Sequence, residues 1–315
     1  MRTWVVTTSY PSSEGDPAGH FVREEARILA REARVTVLAP APSRGHAGAP
    51  SDDGVEVRWQ AGGGAFGWPG ASARLRARPS RALGAAGFVA RAIAALRRER
   101  PERVVAHWAL PCAAPIALAA GRGAELFVVS HGGDARALAR LPLRDAVARA
   151  IAGRASEWRF VSAPLAEGLL ASLAPSAARA VERVLRIAPC AVRVDEPPAE
   201  AVARARTSMQ DTPFFCVVGR LVATKRVDAG LRWVAERHPG APVVVVGDGP
   251  ERARLERAAA RAGVRTKFVG AVERPEALAW MRASRGLVFA SIAEGAPTVI
   301  REAHALGVPV VGPAA

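Results

Sequence analysis

Cysteine is scarce in this 315-residue chain, which contains only Cys112, Cys190 and Cys216. The three are scattered and lack the spacing of a redox or metal site, so we expect small buried thiols and no disulfide framework. Long apolar runs are also missing, because none approaches the roughly 20 residues of a membrane-spanning helix. The apolar start, Met1 to Thr8, is too short for a secretory signal. These absences predict a protein that folds in the cytoplasm.

Aromatic residues are few, at 5% of the chain, although the net charge is +15. A basic chain attracts anions, but nucleic-acid-binding domains place aromatic side chains among their basic residues, and no such alternation appears. We therefore expect no nucleic-acid partner. Asparagine is absent and arginine supplies nearly all the positive charge, which indicates biased codon usage. Only Lys225 and Lys267 are lysines, so a lysine at a motif position is conspicuous.

Strand-like apolar runs alternate with helical patterns along the chain. Half of the residues are hydrophobic, and the length suggests two domains. The order strand, helix, strand predicts an α/β fold with two Rossmann-like, doubly wound parallel-sheet domains. A G-x-G-x-x-G motif is absent, so NAD or FAD binding is not predicted. The predicted division is residues 1–194 for the first domain, 195–212 for a linker with Pro197 and Pro198, and 213–315 for the second domain.

Two glutamates eight positions apart mark the end of the second domain. A buried strand is predicted to precede Glu294, and the turn from Gly295 to Thr298 opens a helix that carries Glu302 about one turn later. Free amides at a helix start favour an anion. The pattern therefore predicts that Glu294 and Glu302 face one ligand, with two solvated glutamates as the alternative interpretation.

This stretch resembles the E-x7-E signature of the retaining family 4 glycosyltransferases, the glycosyl transferases group 1, which have the two-domain GT-B fold. The match consists of Glu294-Gly295, Pro297, Glu302-Ala303 and the run from Gly307 to Val311. The resemblance implies transfer of a hexosyl-type sugar, with retention of anomeric configuration, from a nucleotide-diphospho-sugar to an acceptor. It further implies that Glu302 holds ribose hydroxyls, that Glu294 acts on the sugar, and that Gly295 and Thr298 line the donor site.

A strand, a Gly-Arg turn and a lysine open the second domain. Gly219 and Arg220 follow a strand, and Lys225 stands at the next predicted helix start, where cations and free amides favour an anion. The segment resembles the family's G-R-x4-K, in which both cations neutralise the diphosphate. Because no Asp-x-Asp motif is present, we expect neither a metal nor a cofactor, with Arg220 and Lys225 acting instead; ordinary surface cations are the alternative.

The first domain supplies further candidates. Gly19 resembles the family's glycine that lets the backbone approach donor phosphates, although a turn alone can also require glycine. His131 leaves the carboxyl end of a predicted strand, where open α/β sheets bind ligands. It resembles the family's histidine that faces the donor sugar, and His107-Trp108 resembles an element on the acceptor side. Asp134 is predicted to be the N-cap of the following helix.

A basic helix provides a candidate contact with a membrane. Residues 73–100 contain eight arginines and one acidic residue, Glu99, and Phe66 and Trp68 lie in the glycine-rich loop before them. An amphipathic helix packed on its own sheet is one interpretation. The other adds contact with an anionic membrane, at the inner face of which a sugar or lipid-linked acceptor is presented.

The chain ends where the family normally continues with a Gly-rich loop and further β-α units. We therefore expect a second domain that is incomplete at its C-terminus, and competing functions stay open. They are a sugar-nucleotide epimerase or phosphorylase of similar fold, a non-catalytic remnant that binds sugar nucleotides or a partner, and a surface-binding protein driven by charge.

Overall fold

A computed structural model describes residues 1–42, 52, 54–67, 70–119, 123–292 and 294–313. The chain divides into two compact units: residues 1–14 with 18–191, and residues 15–17 with 192–315. Each unit is built on one parallel sheet, which confirms the predicted fold class of two Rossmann-like α/β domains.

The first unit contains a seven-stranded parallel sheet in the order β3-β2-β1-β4-β5-β6-β7. Successive strands are added outward from β1 on one side and from β4 on the other, so the order of the strands reverses between these two neighbours. Ligands of open α/β sheets bind at such a reversal, beyond the carboxyl ends of the strands. The strands are β1 Arg2–Val6, β2 Arg34–Pro40, β3 Val55–Gln60, β4 Arg103–His107, β5 Glu125–Ser130, β6 Glu157–Phe160 and β7 Leu185–Ile187.

Helices connect these strands, and their apolar faces pack on the sheet. The central strand β1 has four consecutive buried side chains from Thr3 to Val6, as expected for a sheet covered on both faces. The helices are α1 His20–Ala30, α2 Ala71–Ala77, α3 Arg81–Glu99, α4 Ala114–Ala119, α5 Gly133–Ala139, α6 Arg144–Ala152, α7 Ala163–Leu170 and α8 Pro175–Glu182.

Helix α3 begins after Ser80, and its buried face includes Phe88 but not Leu83. Leu83 is 79% exposed, whereas Phe88 is fully buried. Gly84 lies four positions before Phe88 and therefore shares its face, and its Cα packs directly on the Gly63 backbone. Leu83 precedes Gly84 by one position, about 100° around the helix, and so projects from the flank.

The second unit contains a five-stranded parallel sheet in the order β10-β9-β8-β11-β12. Here the reversal lies between β8 and β11, the strands that precede the two predicted ligand loops. The elements are α9 Ala199–Thr207, β8 Phe215–Val218, α10 Val227–Arg237, β9 Val243–Val246, α11 Arg252–Arg261, β10 Thr266–Gly270, α12 Arg274–Ala283, β11 Gly286–Val288, α13 Thr298–Ala305 and β12 Val310–Val311.

Alternate side chains of β8 enter different layers of the core. Phe215 and Val217 pack in the cluster that contains Leu231 of α10, whereas Cys216 packs in the cluster that contains Trp280 of α12. The period of two along a strand produces this separation. The sheet is thus covered on both faces, and its strand ends remain as the place for loops that bind a ligand.

The segment between the predicted domains is partly helical. The boundary between the units follows Ala191, and α9 occupies the middle of the stretch 195–212 predicted as a linker. Helix α9 packs on α12, with Ala205 buried between them. Pro197 and Pro198 come just before α9, a position where proline is compatible with the start of a helix.

Candidate functional site

A pocket lies between β8 and β11, where the strand order of the second sheet reverses. It is formed by the ends of β8 and β11 and by the loops that follow them, which places apolar strand residues at its base and polar loop residues at its mouth. This is the position at which doubly wound sheets bind ligands. The residues with polar side chains among its lining are Arg220, Lys225 and Ser291.

One of the lining residues, Lys225, forms an ion pair with Glu294. Lys225 Nζ lies 2.7 Å from Glu294 Oε1, and the Ser291 hydroxyl is placed to donate to the same carboxylate oxygen at 2.8 Å. Burial alone would raise the pKa of Glu294, but Lys225, Ser291 and then Arg220 lower it to below its usual range. The carboxylate is therefore charged at neutral pH and held in place by cations.

The turn after β8 presents the cationic side chains. Gly219 has a φ of 144°, a conformation that favours glycine, and Arg220 follows with an exposed side chain. The next residue, Leu221, donates its amide to the Asp248 carbonyl at 2.8 Å and accepts a bond from the Glu251 amide at 3.1 Å. A second turn therefore braces the first. Lys225 completes a short 3₁₀ turn, Ala223–Lys225, just before α10.

Glu302 has a partner that the sequence did not indicate. It lies on α13 with 7% exposure, and its Oε1 accepts a bond of 2.9 Å from Arg274 Nε. Arg274 begins α12 and also donates to the Arg193 carbonyl. The chain has 42 arginines, the 44 basic residues less the two lysines, and no sequence pattern distinguishes this one. Glu294 and Glu302 thus have different cationic partners, both within the second unit.

The turn between the two glutamates ends at the start of α13. Pro297 is the N-cap residue, and Thr298 is the first residue of the helix. Gly295 lies in the preceding bend. The structure thus places Gly219, Arg220 and Lys225 in the lining of one pocket and pairs Glu294 with Lys225, with Gly295 and Thr298 on the connection to Glu302. Donor contacts by these residues remain predictions.

His131 follows β5 in the first unit, inside a group of rings. Its Nε2 lies 2.9 Å from His107 Nδ1, and its Nδ1 lies 3.4 Å from the Cys190 sulfur. The rings of Phe21 and Trp108 lie at centroid distances of 4.9 and 4.8 Å. Burial lowers the pKa of both histidines well below the usual value. His107, which sequence reasoning assigned to a separate element, is thus the direct partner of His131.

Asp134 is not the N-cap of α5, contrary to the prediction. Gly132 takes that position with a φ of 137°, and Asp134 is the second helical residue. Its carboxylate accepts the amides of Ala109 at 2.8 Å and of His131 and Gly132 at 3.0 Å. A carboxylate inside the first turn can reach back to several free amides at once. Asp134 therefore fixes the loops after β4 and β5 together.

The backbone conformation at position 19 explains why this residue is a glycine. Its φ is 71°, and a Cβ atom there would lie 2.4 Å from the Ser9 carbonyl oxygen. Any other residue would be strained and would clash with main chain. This requirement accounts for the glycine without a ligand, and contact with donor phosphates remains a prediction. Gly19 and His131 belong to the first unit, and the other candidate residues belong to the second.

Metal ligands, membrane spans and thiols bear on the class of protein. Within the described part of the chain, no three His, Cys, Asp or Glu side chains converge as metal ligands would. None of the described helices combines the length and apolarity needed to cross a membrane. All three cysteines are free and buried, as predicted.

Comparison with known proteins identifies the fold. Anabaena HepE in complex with UDP and glucose is 17% identical with a TM-score of 0.68, over 99% of this chain and 80% of that chain. Sucrose-phosphate synthase from Thermosynechococcus elongatus is 18% identical with a TM-score of 0.71, over 98% and 80%. WaaG, a glycosyltransferase involved in lipopolysaccharide biosynthesis, is 16% identical with a TM-score of 0.63, over 98% and 80%.

The sequence comparison covers the second unit. No curated protein matches the sequence significantly. Residues 200–314 match the family described as glycosyl transferases group 1, and this range includes every candidate residue of the pocket. The family match is therefore confined to residues 200–314, whereas the GT-B fold extends over the whole chain.

Proposed function

We propose that this protein is a glycosyltransferase that transfers a hexosyl-type sugar from a nucleotide-diphospho-sugar to an acceptor, with retention of the anomeric configuration. The observation that carries the proposal is the pair Lys225–Glu294 beside Gly219 and Arg220 at the sheet reversal. The family match over residues 200–314 and the solved structures of similar fold, one of which is a complex with UDP and glucose, support it.

Cations at the pocket mouth would bind the diphosphate. Arg220 offers a planar, permanently charged fork, and Lys225 offers a compact charge. Negative charge grows on the diphosphate as the bond to the sugar breaks, and positioned cations stabilise that charge more than they stabilise the ground state. Arg220 and Lys225 would therefore serve both binding and rate, without a metal.

Glu294 would exchange partners when the donor binds. In the structure its carboxylate is bound to Lys225 and faces the Ser291 hydroxyl. A diphosphate would draw Lys225 toward itself, which leaves the Glu294 carboxylate to accept sugar hydroxyls. While Lys225 lies beside it, the lowered pKa of Glu294 keeps the carboxylate charged and therefore a hydrogen-bond acceptor. Glu302, positioned by Arg274, would accept the ribose hydroxyls, and His131 would serve on the sugar side.

We further propose that the acceptor is a sugar or a lipid-linked sugar, met in the cytoplasm at the inner face of an anionic membrane during polysaccharide or glycolipid synthesis. The exposed Arg76 and Arg78, at the end of α2, and the exposed Leu83 support such a contact. Phe66 does not, because it is buried against Phe88. Trp68 lies outside the described residues.

The test is a transfer assay with a panel of nucleotide-diphospho-sugars and acceptors. We expect release of the nucleoside diphosphate that depends on the acceptor, and a product with the anomeric configuration of the donor. Release of nucleotide without transfer, phosphate-dependent cleavage, or conversion of the donor to its epimer would contradict the proposal. Donor binding measured by calorimetry without any turnover would indicate a sugar-nucleotide-binding protein instead.

A further inference from the structure

Four side chains of the first unit lie in one row, in which hydrogen-bonding contacts join the last three and the first, Glu25, faces the end of the row. Glu25 Oε2 lies 3.9 Å from His107 Nε2. His107 Nδ1 lies 2.9 Å from His131 Nε2, and the two ring planes differ by only 16°. His131 Nδ1 then lies 3.4 Å from the Cys190 sulfur. Since each neutral imidazole carries a single N–H, the proton positions along this row are linked.

Two proton arrangements satisfy the bond between the rings. In the first, His107 carries its proton on Nε2, so His131 must donate from its own Nε2, and the Cys190 thiol donates to His131 Nδ1. In the second, every donor is reversed. His131 then donates to the sulfur, and the bare Nε2 of His107 faces a carboxylate.

Electrostatics separates the two arrangements. His107 is 0% exposed, and its Nε2 makes no hydrogen bond within the described part of the chain. In the reversed arrangement the lone pair of this buried nitrogen would face the Glu25 carboxylate, so that two acceptors would oppose each other. In the first arrangement an N–H dipole points at that carboxylate, which is attractive even at 3.9 Å, beyond hydrogen-bonding distance.

We propose that Glu25, acting through His107, fixes His131 as the Nε2–H tautomer and so makes His131 Nδ1 a hydrogen-bond acceptor, occupied in this structure by the Cys190 thiol. Glu25 and His107 are then positioning residues. Arg159, which is bound to Glu25, holds the carboxylate in place and completes the row.

The tautomer determines which ligand atoms His131 can bind. A bare Nδ1 accepts a bond from a hydroxyl group and rejects a carbonyl or phosphate oxygen, since two acceptors repel. A thiol is a weak donor, so a hydroxyl that reached Nδ1 would replace Cys190 readily. This step rests on the proposed function in taking that hydroxyl to belong to a sugar; the tautomer itself does not depend on it.

The experiment uses the ligand-free full chain labelled with 15N-histidine. Two-bond proton–nitrogen correlation spectra at pH 7.5 distinguish protonated from bare ring nitrogens, and the signals lost in His131→Gln and His107→Gln assign the two rings. We expect a bare Nδ1 and a protonated Nε2 in both rings of the native chain. A protonated His131 Nδ1 would overturn the proposal. The test is made on the native chain, and the two variants serve only to assign the signals.

Glu25→Gln is the directional test. Its amide oxygen would stay with Arg159, which requires an acceptor, so the NH2 group would face His107 Nε2 and favour the reversed arrangement. We expect His131 to shift toward the Nδ1–H tautomer. Glu24→Gln is the matched control, because Glu24 lies on the same helix but pairs with Arg27; it should leave the spectrum unchanged. An unchanged spectrum in Glu25→Gln contradicts the proposal.

Cys190→Ser tests the preference for a hydroxyl. Its hydroxyl should donate to His131 Nδ1 and strengthen the native tautomer, whereas a change to Nδ1–H would show that His131 is a donor here and overturn the assignment. None of these spectra requires a donor sugar or turnover. A chain without transferase activity but with the expected spectra would refute the proposed function and leave this inference intact.

Discussion

Arg274 Nε donates to Glu302 Oε1 at 2.9 Å and joins the first turn of α12 to α13. The side chain of Glu302 is 9% exposed and that of Arg274 is 18% exposed. Since water reaches this pair poorly, each charge depends on the other. The arginine therefore has two consequences, one for stability and one for the presentation of Glu302.

Removal of Arg274 should destabilise the second unit. Arg274→Gln removes the charge that pairs with the mostly buried Glu302 carboxylate, and breaking a buried pair costs about 3–5 kcal/mol. Chemical denaturation measures the free energy of unfolding. Arg282→Gln is the control, since Arg282 lies on the same helix and its partner Glu196 is 67% exposed; we expect a loss below about 1 kcal/mol there. Equal losses would show that the buried pair has no special role.

Lys225→Ala should weaken binding of a nucleotide-diphospho-sugar at least tenfold. A charge-assisted hydrogen bond contributes about 1.5–3 kcal/mol, and Lys225 is placed to make one with the diphosphate. Calorimetric titration with UDP-glucose and other donors provides the measurement. Lys267→Ala is the matched control, because Lys267 instead lies over the Trp280 ring at 5.4 Å. Equal effects of the two substitutions would remove Lys225 from the donor site.

Substitution of the two glutamates should have different effects on nucleotide binding and on sugar transfer. Glu302→Gln should weaken binding of the free nucleoside diphosphate, because its carboxylate is the predicted ribose acceptor. Glu294→Gln should leave that binding nearly intact and slow the sugar-dependent steps, since Lys225 remains to hold the phosphates. Titration with UDP and single-turnover transfer distinguish the two. Two variants with native binding and transfer would show that both carboxylates are structural.

As the pH is lowered, the first unit should begin to lose stability at a higher pH than the titration of carboxylates alone would produce. The pKa values of His107 and His131 are lowered in the fold by burial, so between their unfolded value of about 6.5 and the folded value the unfolded chain binds more protons. The free energy of unfolding should therefore fall as the pH drops below about 6.5, by up to about 1.4 kcal/mol per pH unit for each ring.

The slope of stability against pH tests this assignment. Denaturation between pH 7.5 and 5 should give a smaller slope for His107→Gln than for the native chain, whatever its absolute stability. His304→Gln, at an exposed position on α13, should run parallel to the native curve. A native stability that is constant from pH 7.5 to 5 would contradict burial of two neutral histidines.

Contact with anionic lipid should depend on Arg76 and Arg78. The structure favours these two arginines over Arg74 and Arg81, because Arg76 and Arg78 are exposed whereas Arg74 and Arg81 are partly buried. Each cation near an anionic surface contributes about 1 kcal/mol, so the change of both to Gln should weaken co-sedimentation with anionic vesicles at least tenfold.

A charge-matched variant controls for the lost charge. Arg257→Gln with Arg261→Gln removes two exposed arginines from α11 and should bind vesicles like the native chain, at low and at physiological salt. Vesicle binding that does not depend on anionic lipid would show that the basic helix is an ordinary solvated one. The same conclusion would follow if both double variants lost binding equally.

The sequence by itself determined the sheets and the loops at their ends. Runs such as Val243 to Val246 are buried on both faces of a parallel sheet and are therefore apolar throughout, which makes them visible without a structure. Gly219, Arg220, Lys225 and Glu294 follow such runs, and because parallel strands end at one edge, their convergence could be predicted. Position along the chain was sufficient for this part of the site.

Tertiary structure alone decided which side chains pair. Arg274 lies 28 positions from Glu302, and Cys190 lies 59 positions from His131. Contacts of this kind depend on how helices pack and how strands are ordered, and neither leaves a local spacing in the sequence. The same applies to the row from Glu25 to Cys190, since α1, β4 and β5 meet there only after the sheet reverses between β1 and β4. The strand ends determine where the candidate residues lie, and the packing of helices and strands determines which side chains they pair with.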